Sequence, residues 1–197
     1  MIDAWRLAVG TLTAVPIRPP ARITPRVAGG AMLLAPVAAL PLALLIAGGW
    51  AALRWLAMPP LLVAALVLVG LTLATRGLHL DGLADTCDGL AASYDRSRAL
   101  AVMRTGDVGP AGLAAVVLVL LVQAAALSEL LTTAPGAALA GAAVVTSRHT
   151  LAWCCRVGVP AARPEGLGAT VAGTVAPRYA VGSTLVLAAL AGAAIQP

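Results

Sequence analysis

Residues 60–90 read PLLVAALVLVGLTLATRGLHLDGLADTCDGL. Residues 60–75 carry no charged side chain, whereas the segment that follows carries Asp81, Asp85 and Asp88. A long apolar run indicates a membrane-spanning helix, because hydrocarbon tolerates few charges. The acidic segment is therefore expected at the boundary of a membrane.

The composition supports a membrane protein. Of the 197 residues, 60% are hydrophobic and only 11% are charged, whereas soluble domains carry about 25% charged residues. We therefore predict an all-α, polytopic integral membrane protein. The net charge of +5 does not indicate nucleic-acid binding, because no basic cluster is interleaved with aromatic residues. The three cysteines form no CxxC or Cys/His metal pattern.

Apolar segments close to the ~20 residues that cross hydrocarbon predict about five transmembrane helices. They are 29–50, 60–75, 110–131, 136–156 and 179–196. The apolar N-terminal segment is interrupted by Asp3 and Arg6, so we predict an amphipathic surface helix that ends before Pro16. The whole chain, 1–197, is expected to form a single membrane-embedded domain.

The arginines predict the orientation. When successive loops are assigned to alternate sides, one side receives nearly all of the basic residues and the other only Arg54, with Glu129. The positive-inside rule makes the arginine-rich side cytoplasmic. Because the acidic segment lies on that side, we expect the active site to face the cytoplasm.

Asp81, Asp85 and Asp88 have the spacing i, i+4, i+7. At ~100° per residue these side chains share one narrow helical face. Their mutual repulsion would be relieved by a divalent cation, and Mg²⁺ prefers hard oxygen ligands together with substrate phosphates. The spacing therefore predicts a Mg²⁺–diphosphate platform, with Gly82 and Gly89 leaving room for a ligand. A solvated helix face and a cation-transport site are the alternatives.

Four further polar residues precede or follow this face. His79 is either a general base near the metal or a polar residue at the membrane boundary. Arg104 is a candidate phosphate contact, because guanidinium groups match phosphate oxygens. Asp107 would add a carboxylate in a glycine-containing turn. Arg148 lies within the fourth predicted span, where an arginine needs a partner or a polar cavity.

A further polar segment, residues 156–173, lies on the same predicted side of the membrane as the acidic segment. The residues that would contribute to a joint substrate site are Arg163, Glu165, Gly166 and Gly168. A simple connecting loop is the alternative.

Four segments resemble the adenosylcobinamide-GDP ribazoletransferase family, which is also called cobalamin or cobalamin-5′-phosphate synthase. In chain order they are LAVGTLTAVPIRPP (7–20), HLDGLADTCDGL (79–90), RALAVMRTGDVGPAG (98–112) and ARPEGLGATVAG (162–173). The combination is more specific than the aspartate motif alone. Family members commonly carry an Asp directly after a Met-Arg pair. Here that pair is Met103-Arg104, and Thr105 and Gly106 come between it and Asp107.

The resemblance implies a multi-pass enzyme of the bacterial inner membrane that requires Mg²⁺ and acts in late coenzyme B12 synthesis. Its substrates would be adenosylcobinamide-GDP and α-ribazole, or α-ribazole 5′-phosphate, and its partners membrane lipid and no nucleic acid. Catalytic roles would fall to His79, Asp81, Asp85 and Asp88, the three aspartates being the metal ligands. The chain is expected to lack the C-terminal extension of the family, and a homo-oligomer is left open.

Two other functions compete with this interpretation. A CDP-alcohol phosphotransferase would also use boundary aspartates and Mg²⁺, but its motif places Arg after an Ala where this chain has Asp85. A small cation transporter would require acidic residues within the spans, which carry almost none.

Overall fold

The computed structural model describes residues 1–195, with side chains described up to residue 190. The regular secondary structure of the described residues is helical, and these residues form no strand; Arg156 and Val175 make one isolated bridge. This confirms the predicted all-α class. The helices are α1 (Ile2–Leu12), α2 (Pro25–Ala38), α3 (Leu40–Leu56), α4 (Pro60–Ala74), α5 (Leu78–Ala92), α6 (Arg96–Val102), α7 (Pro110–Leu130), α8 (Ala134–Ser147), α9 (Thr150–Cys154), α10 (Leu167–Val171) and α11 (Pro177–Ile195).

The contacts divide the chain into two compact units. The terminal unit comprises Met1–Leu44 and the chain from Ala138 onward, and the central unit comprises Leu45–Ala137.

The core of the terminal unit forms where α1 packs on α2. The Thr24 hydroxyl caps α2 by accepting a hydrogen bond from the Val27 amide at 3.3 Å, and Pro25 begins the helix. The apolar side of α1 is buried, with Leu7 and Ala8 in the core. The predicted N-terminal helix is therefore confirmed as a helix, but its apolar face is covered by protein, because α2 offers a complementary surface of small side chains.

Two helical segments are long and apolar enough to cross a membrane within the described residues. They are Pro25–Leu56, which comprises α2 and α3, and Pro110–Leu130, which is α7. These segments coincide with the first and third predicted spans. The fifth is helical over Pro177–Ile195, and its last residue, 196, lies outside the described residues.

The fourth predicted span, 136–156, is divided between α8 and α9, and both are shorter than a span requires. The hydroxyls of Thr146, Ser147 and Thr150 donate to backbone carbonyls three or four residues earlier, each at 2.8 Å. Such bonds compete with a regular helix. The break lies between Ser147 and Thr150, at Arg148 and His149.

In the central unit, α4 coincides with the second predicted span and ends in a sharp turn. The Gly77 amide donates to the Thr72 carbonyl at 2.8 Å, and the Arg76 amide donates to the Leu73 carbonyl at 3.1 Å. Arg76 is left-handed, with φ 55°, and the two bonds form a Schellman motif. The chain then begins α5 at 89° to α4, so the acidic segment does not continue the direction of the apolar run.

Candidate functional site

The predicted acidic face lies on one regular helix. Asp81, Asp85 and Asp88 all belong to α5, so helical geometry places Asp88 ~20° and Asp85 ~40° to either side of Asp81. Burial increases along the helix: Asp81 is exposed, Asp85 is half-buried and Asp88 is buried. The three carboxylates therefore share a face but occupy different environments.

Asp88 is bound by the beginning of another helix. Its Oδ2 accepts a hydrogen bond from the Gly109 amide at 2.7 Å, and its Oδ1 accepts one from the Gly112 amide at 2.8 Å. The first amides of a helix have no partner within the helix. Gly109, the N-cap residue of α7, has no side chain that could accept from them. The Asp88 carboxylate thus takes the place of the missing capping side chain of α7, and the helix dipole also favours negative charge there.

Close approach of α5 to α7 requires glycine at both donor positions. A Cβ at Gly112 would overlap the Asp88 carboxylate and lie 2.7 Å from the Ala84 carbonyl oxygen. A Cβ at Gly109 would lie 2.8 Å from the Asp88 Cγ. Real Cβ atoms do not make such contacts, so the two glycines allow the carboxylate to reach the amides.

The Met-Arg pair lies beside α5. A Cβ at Gly89 would be 2.5 Å from Cε of Met103, so Met103 packs directly on this point of the helix. Arg104, the next residue, lies in the turn after α6 and is exposed, as is Asp107. Arg104 therefore directly follows a residue, Met103, that contacts the acidic helix.

Asp95 begins α6. It accepts hydrogen bonds from the Ser97 hydroxyl at 2.5 Å and from the Arg98 amide at 2.9 Å. These two bonds, the hydroxyl first, hold the pKa of Asp95 below its ordinary value because they stabilise the charged form. This aspartate is exposed and serves as a local helix cap.

His79 lies within α5, in its first turn, and is exposed. Two residues along a helix correspond to a rotation of ~200°, so His79 is ~160° away from Asp81. This geometry favours a boundary role for His79 over the general-base role, which stays a prediction.

The remaining predicted site residues belong to the terminal unit. Arg148 lies at the α8–α9 break and is half-buried, and its guanidinium donates to the Ser147 hydroxyl at 2.9 Å. Arg163 is half-buried, whereas Glu165, Gly166 and Gly168 are exposed. Gly166 has φ 92° at the start of α10, a backbone conformation that other residues rarely adopt. The structure thus places these residues in one unit and the acidic face in the other.

A polar cluster that the sequence reasoning did not single out surrounds His149. Its Nε2 lies 2.7 Å from the Thr184 hydroxyl of α11, and the Trp153 indole N–H is 3.0 Å from the same oxygen. His149 Nδ1 is buried and has no hydrogen-bond partner among the described atoms. The i, i+4 spacing of His149 and Trp153 was the available signal, whereas Thr184 is distant in sequence.

The metal-ligand chemistry of the face can be tested against its donors. Within residues 1–195, no group of three or more His, Cys, Asp and Glu side chains is arranged to hold a metal ion. Asp81 and Asp85 nevertheless present hard oxygen donors outside the buried region, and Mg²⁺ is often held by one or two carboxylates plus substrate phosphates. These two residues fit Mg²⁺ shared with a diphosphate better than a metal cage built from protein alone.

Comparison with known proteins identifies the family. Residues 4–196 match the family described as cobalamin-5-phosphate synthase. A relative from a Nocardioides species, named adenosylcobinamide-GDP ribazoletransferase, is 56% identical over 98% of this chain and 82% of its own length. Proteins of the same name from Frankia casuarinae and Pseudomonas paraeruginosa are 43% and 36% identical, over 98% and 87% of this chain and 72% and 69% of theirs.

No solved structure matches the chain. The family match covers both units and contains the acidic helix, the Met-Arg turn and the glycine-rich island at 162–173. The chain therefore belongs to the cobalamin-5-phosphate synthase family, whose members are membrane transferases of cobalamin synthesis.

Proposed function

We propose that the chain is an adenosylcobinamide-GDP ribazoletransferase. It would join adenosylcobinamide-GDP to α-ribazole, or to α-ribazole 5′-phosphate, and release GMP. The observation that carries this proposal is the 56% identity, over 98% of the chain, to a relative of that name. The products would be adenosylcobalamin, or its 5′-phosphate, and GMP.

The reaction is a substitution at phosphorus. A hydroxyl of α-ribazole attacks the phosphorus on the corrinoid side of the diphosphate and forms a new P–O bond. The anhydride bond breaks, and GMP leaves with its electron pair. The hydroxyl proton passes to a base, and the geometry of α5 favours a carboxylate of the acidic face for this role over His79.

Asp81 and Asp85 are the proposed Mg²⁺ ligands. When bound, Mg²⁺ would neutralise charge that develops on the leaving phosphate. Asp81 is exposed and Asp85 is half-buried, so a diphosphate substrate has access to both from the solvent side of α5. A Cβ at Gly82 would meet no atom within 4 Å, so this glycine leaves open space beside Asp81.

The remaining polar residues are proposed substrate contacts. Arg104 and Asp107 are exposed on the turns before α7. Arg148, Arg163 and the Glu165–Gly166–Leu167–Gly168 segment are proposed as the second group of contacts. Guanidinium groups suit the diphosphate because they match phosphate oxygens.

The proposed location is the cytoplasmic membrane, with α5 on the cytoplasmic side. The apolar helices of spanning length support a membrane position. The distribution of arginines supports the orientation, because basic residues concentrate on the side that carries α5.

Product formation by the purified chain in lipid nanodiscs tests the proposal. The assay would contain adenosylcobinamide-GDP, α-ribazole and Mg²⁺, with EDTA as the metal-free arm. We expect GMP and adenosylcobalamin in equal amounts. Asp85→Asn should lower kcat/KM at least ~100-fold, because a metal-held phosphate loses one of its anchors. Asp95→Asn is the matched control, since Asp95 is an exposed helix cap, and should retain activity. Product formation in EDTA would overturn the metal role, and no product from folded wild-type chain would overturn the reaction.

A further inference from the structure

We propose that Asp88 is a positioning residue that clasps α5 to the N-terminus of α7 and does not bind the catalytic metal. The part of this proposal that concerns activity rests on the proposed function. The three aspartates of the i, i+4, i+7 set then divide into two roles, with Asp81 and Asp85 facing substrate and Asp88 facing protein.

The first observation is the state of the carboxylate. Both oxygens of Asp88 already accept short hydrogen bonds, at 2.7 and 2.8 Å, from two different backbone amides. The residue is only 8% exposed. A metal ion at Asp88 would have to compete with the amides and enter a region that protein atoms fill.

The second observation is how closely α7 surrounds the carboxylate. Cβ atoms at Gly109 and Gly112 would both overlap Asp88, and a Cβ at Gly112 would also approach the Ala84 carbonyl oxygen to 2.7 Å. Two glycines within one helical turn therefore make room for one side chain. A carboxylate that caps a helix is expected in such an enclosed position. A carboxylate that binds a metal ion from solution needs a side that solvent can reach.

The clasp determines where the other two carboxylates lie. Bonds to Gly109 and Gly112 hold Asp88 at two points, which restricts both rotation of α5 about its axis and sliding along α7. Asp81 is ~20° and Asp85 ~60° from Asp88 around the helix. A change of rotation at Asp88 would therefore turn both substrate-facing carboxylates by the same angle.

The experiment compares Asp81→Asn, Asp85→Asn and Asp88→Asn, with Asp95→Asn as the control at a helix cap. Thermal melting of each protein is first measured in EDTA, without substrate. We expect Asp88→Asn to lower Tm by ~4 °C or more, because an amide NH₂ would face a backbone N–H. The variants at 81 and 85 should melt within ~2 °C of wild type. Equal Tm for Asp88→Asn and wild type would overturn the clasp, whether or not any variant is active.

Activity then separates positioning from metal binding. For Asp88→Asn we expect kcat to fall about tenfold or more, while the Mg²⁺ concentration for half-maximal rate changes less than ~2-fold. For Asp81→Asn and Asp85→Asn we expect that Mg²⁺ concentration to rise at least ~10-fold, or activity to vanish. A rise of ~10-fold for Asp88→Asn would overturn the proposal. Absence of product from wild type would overturn the proposed function alone, since the melting comparison does not use it.

A measurement on wild-type protein covers the case in which Asp88→Asn does not fold. In ¹⁵N-glycine-labelled protein, the amide protons of Gly109 and Gly112 should be protected from solvent exchange in EDTA. Their protection and chemical shifts should be the same after addition of Mg²⁺ with inorganic pyrophosphate. Rapid exchange in EDTA, or loss of protection on addition of Mg²⁺, would overturn the proposal.

Discussion

Asp88 in the central unit and His149 in the terminal unit are both ionisable and equally buried, with 8% of each residue exposed. Asp88 has both oxygens bound, and both donors are backbone amides. His149 has one ring nitrogen beside the Thr184 hydroxyl, and its other ring nitrogen has no partner among the described atoms. Burial alone therefore says little about how a polar side chain is stabilised.

The difference lies in the source of the partners. A helix N-terminus supplies amides that are already fixed in direction and otherwise unsatisfied, so Asp88 and α7 each satisfy the other. The cluster at His149 depends on rotatable side chains from α9 and α11. We therefore expect substitutions around Asp88 to have larger effects than substitutions around His149.

The largest effect is expected for Gly112→Ala, which would break the clasp from the donor side. The added methyl would overlap the Asp88 carboxylate and press on the Ala84 carbonyl, so α5 and α7 would have to separate. We expect the free energy of unfolding to fall by about 2–3 kcal/mol. Denaturation in detergent, followed by circular dichroism, measures this change.

Gly82→Ala is the matched control for that substitution. Gly82 lies in the interior of α5 and an added methyl would meet nothing within 4 Å. Alanine should therefore stabilise the helix by up to about 1 kcal/mol. If the two variants changed stability by the same amount and in the same direction, close packing at Gly112 would not explain the result.

A smaller effect is expected for Thr184→Val, which removes the hydroxyl shared by His149 and Trp153. Two ring nitrogens lose a hydrogen-bond partner, and we expect a loss of about 1–2 kcal/mol. Ser183→Ala is the control, because the Ser183 hydroxyl bonds to carbonyls of its own helix, Tyr179 at 2.7 Å and Ala180 at 3.1 Å. Chemical denaturation should show that Thr184→Val is less stable than Ser183→Ala. A loss at Thr184 greater than that of Gly112→Ala would reverse the comparison between the two regions.

The smallest effect is expected at Asp95, a helix cap that is exposed to solvent. The folded-state pKa of Asp95 lies below its ordinary value. The charged cap therefore stabilises α6 fully when the pH is above that ordinary pKa. The stabilisation is lost as the pH falls through the lowered folded-state pKa. Amide exchange at Arg98, which donates to Asp95, should accelerate relative to neighbouring amides over that range. In Asp95→Asn this acid-dependent step should be absent, and a step of the same size would assign it to another group.

Much of the fold follows from local patterns in the sequence. Apolar length predicts the spans 29–50 and 110–131, which the structure shows as Pro25–Leu56 and Pro110–Leu130. The i, i+4, i+7 spacing predicts that the aspartates share a helix. Each of these inferences needs only residues within one helix of the feature, which explains their success.

The partner of Asp88 could not be derived in this way. Gly109 and Gly112 lie 21 and 24 residues beyond it, and carboxylates on one helical face look alike in the sequence until packing buries one of them. The fourth span differs for a local reason: its apolar composition outweighed Thr146, Ser147 and Thr150, whose hydroxyls bond to carbonyls three or four residues earlier around Arg148. The lack of a capping side chain on α7 is not specific enough to locate its acceptor, because α4 and α5 also begin without a side-chain cap.

The sequence separation of the clasp also has a consequence for the order of assembly during synthesis. Asp88 leaves the ribosome before either of its donors, which lie 21 and 24 residues later in the chain. Until Gly112 has emerged, the Asp88 carboxylate lacks one or both of its amide partners, so the clasp cannot be complete before the first turn of α7 has been synthesised. The second donor belongs to α7, a helix long and apolar enough to cross a membrane, so the rotation of the acidic helix depends on a segment that is synthesised after it.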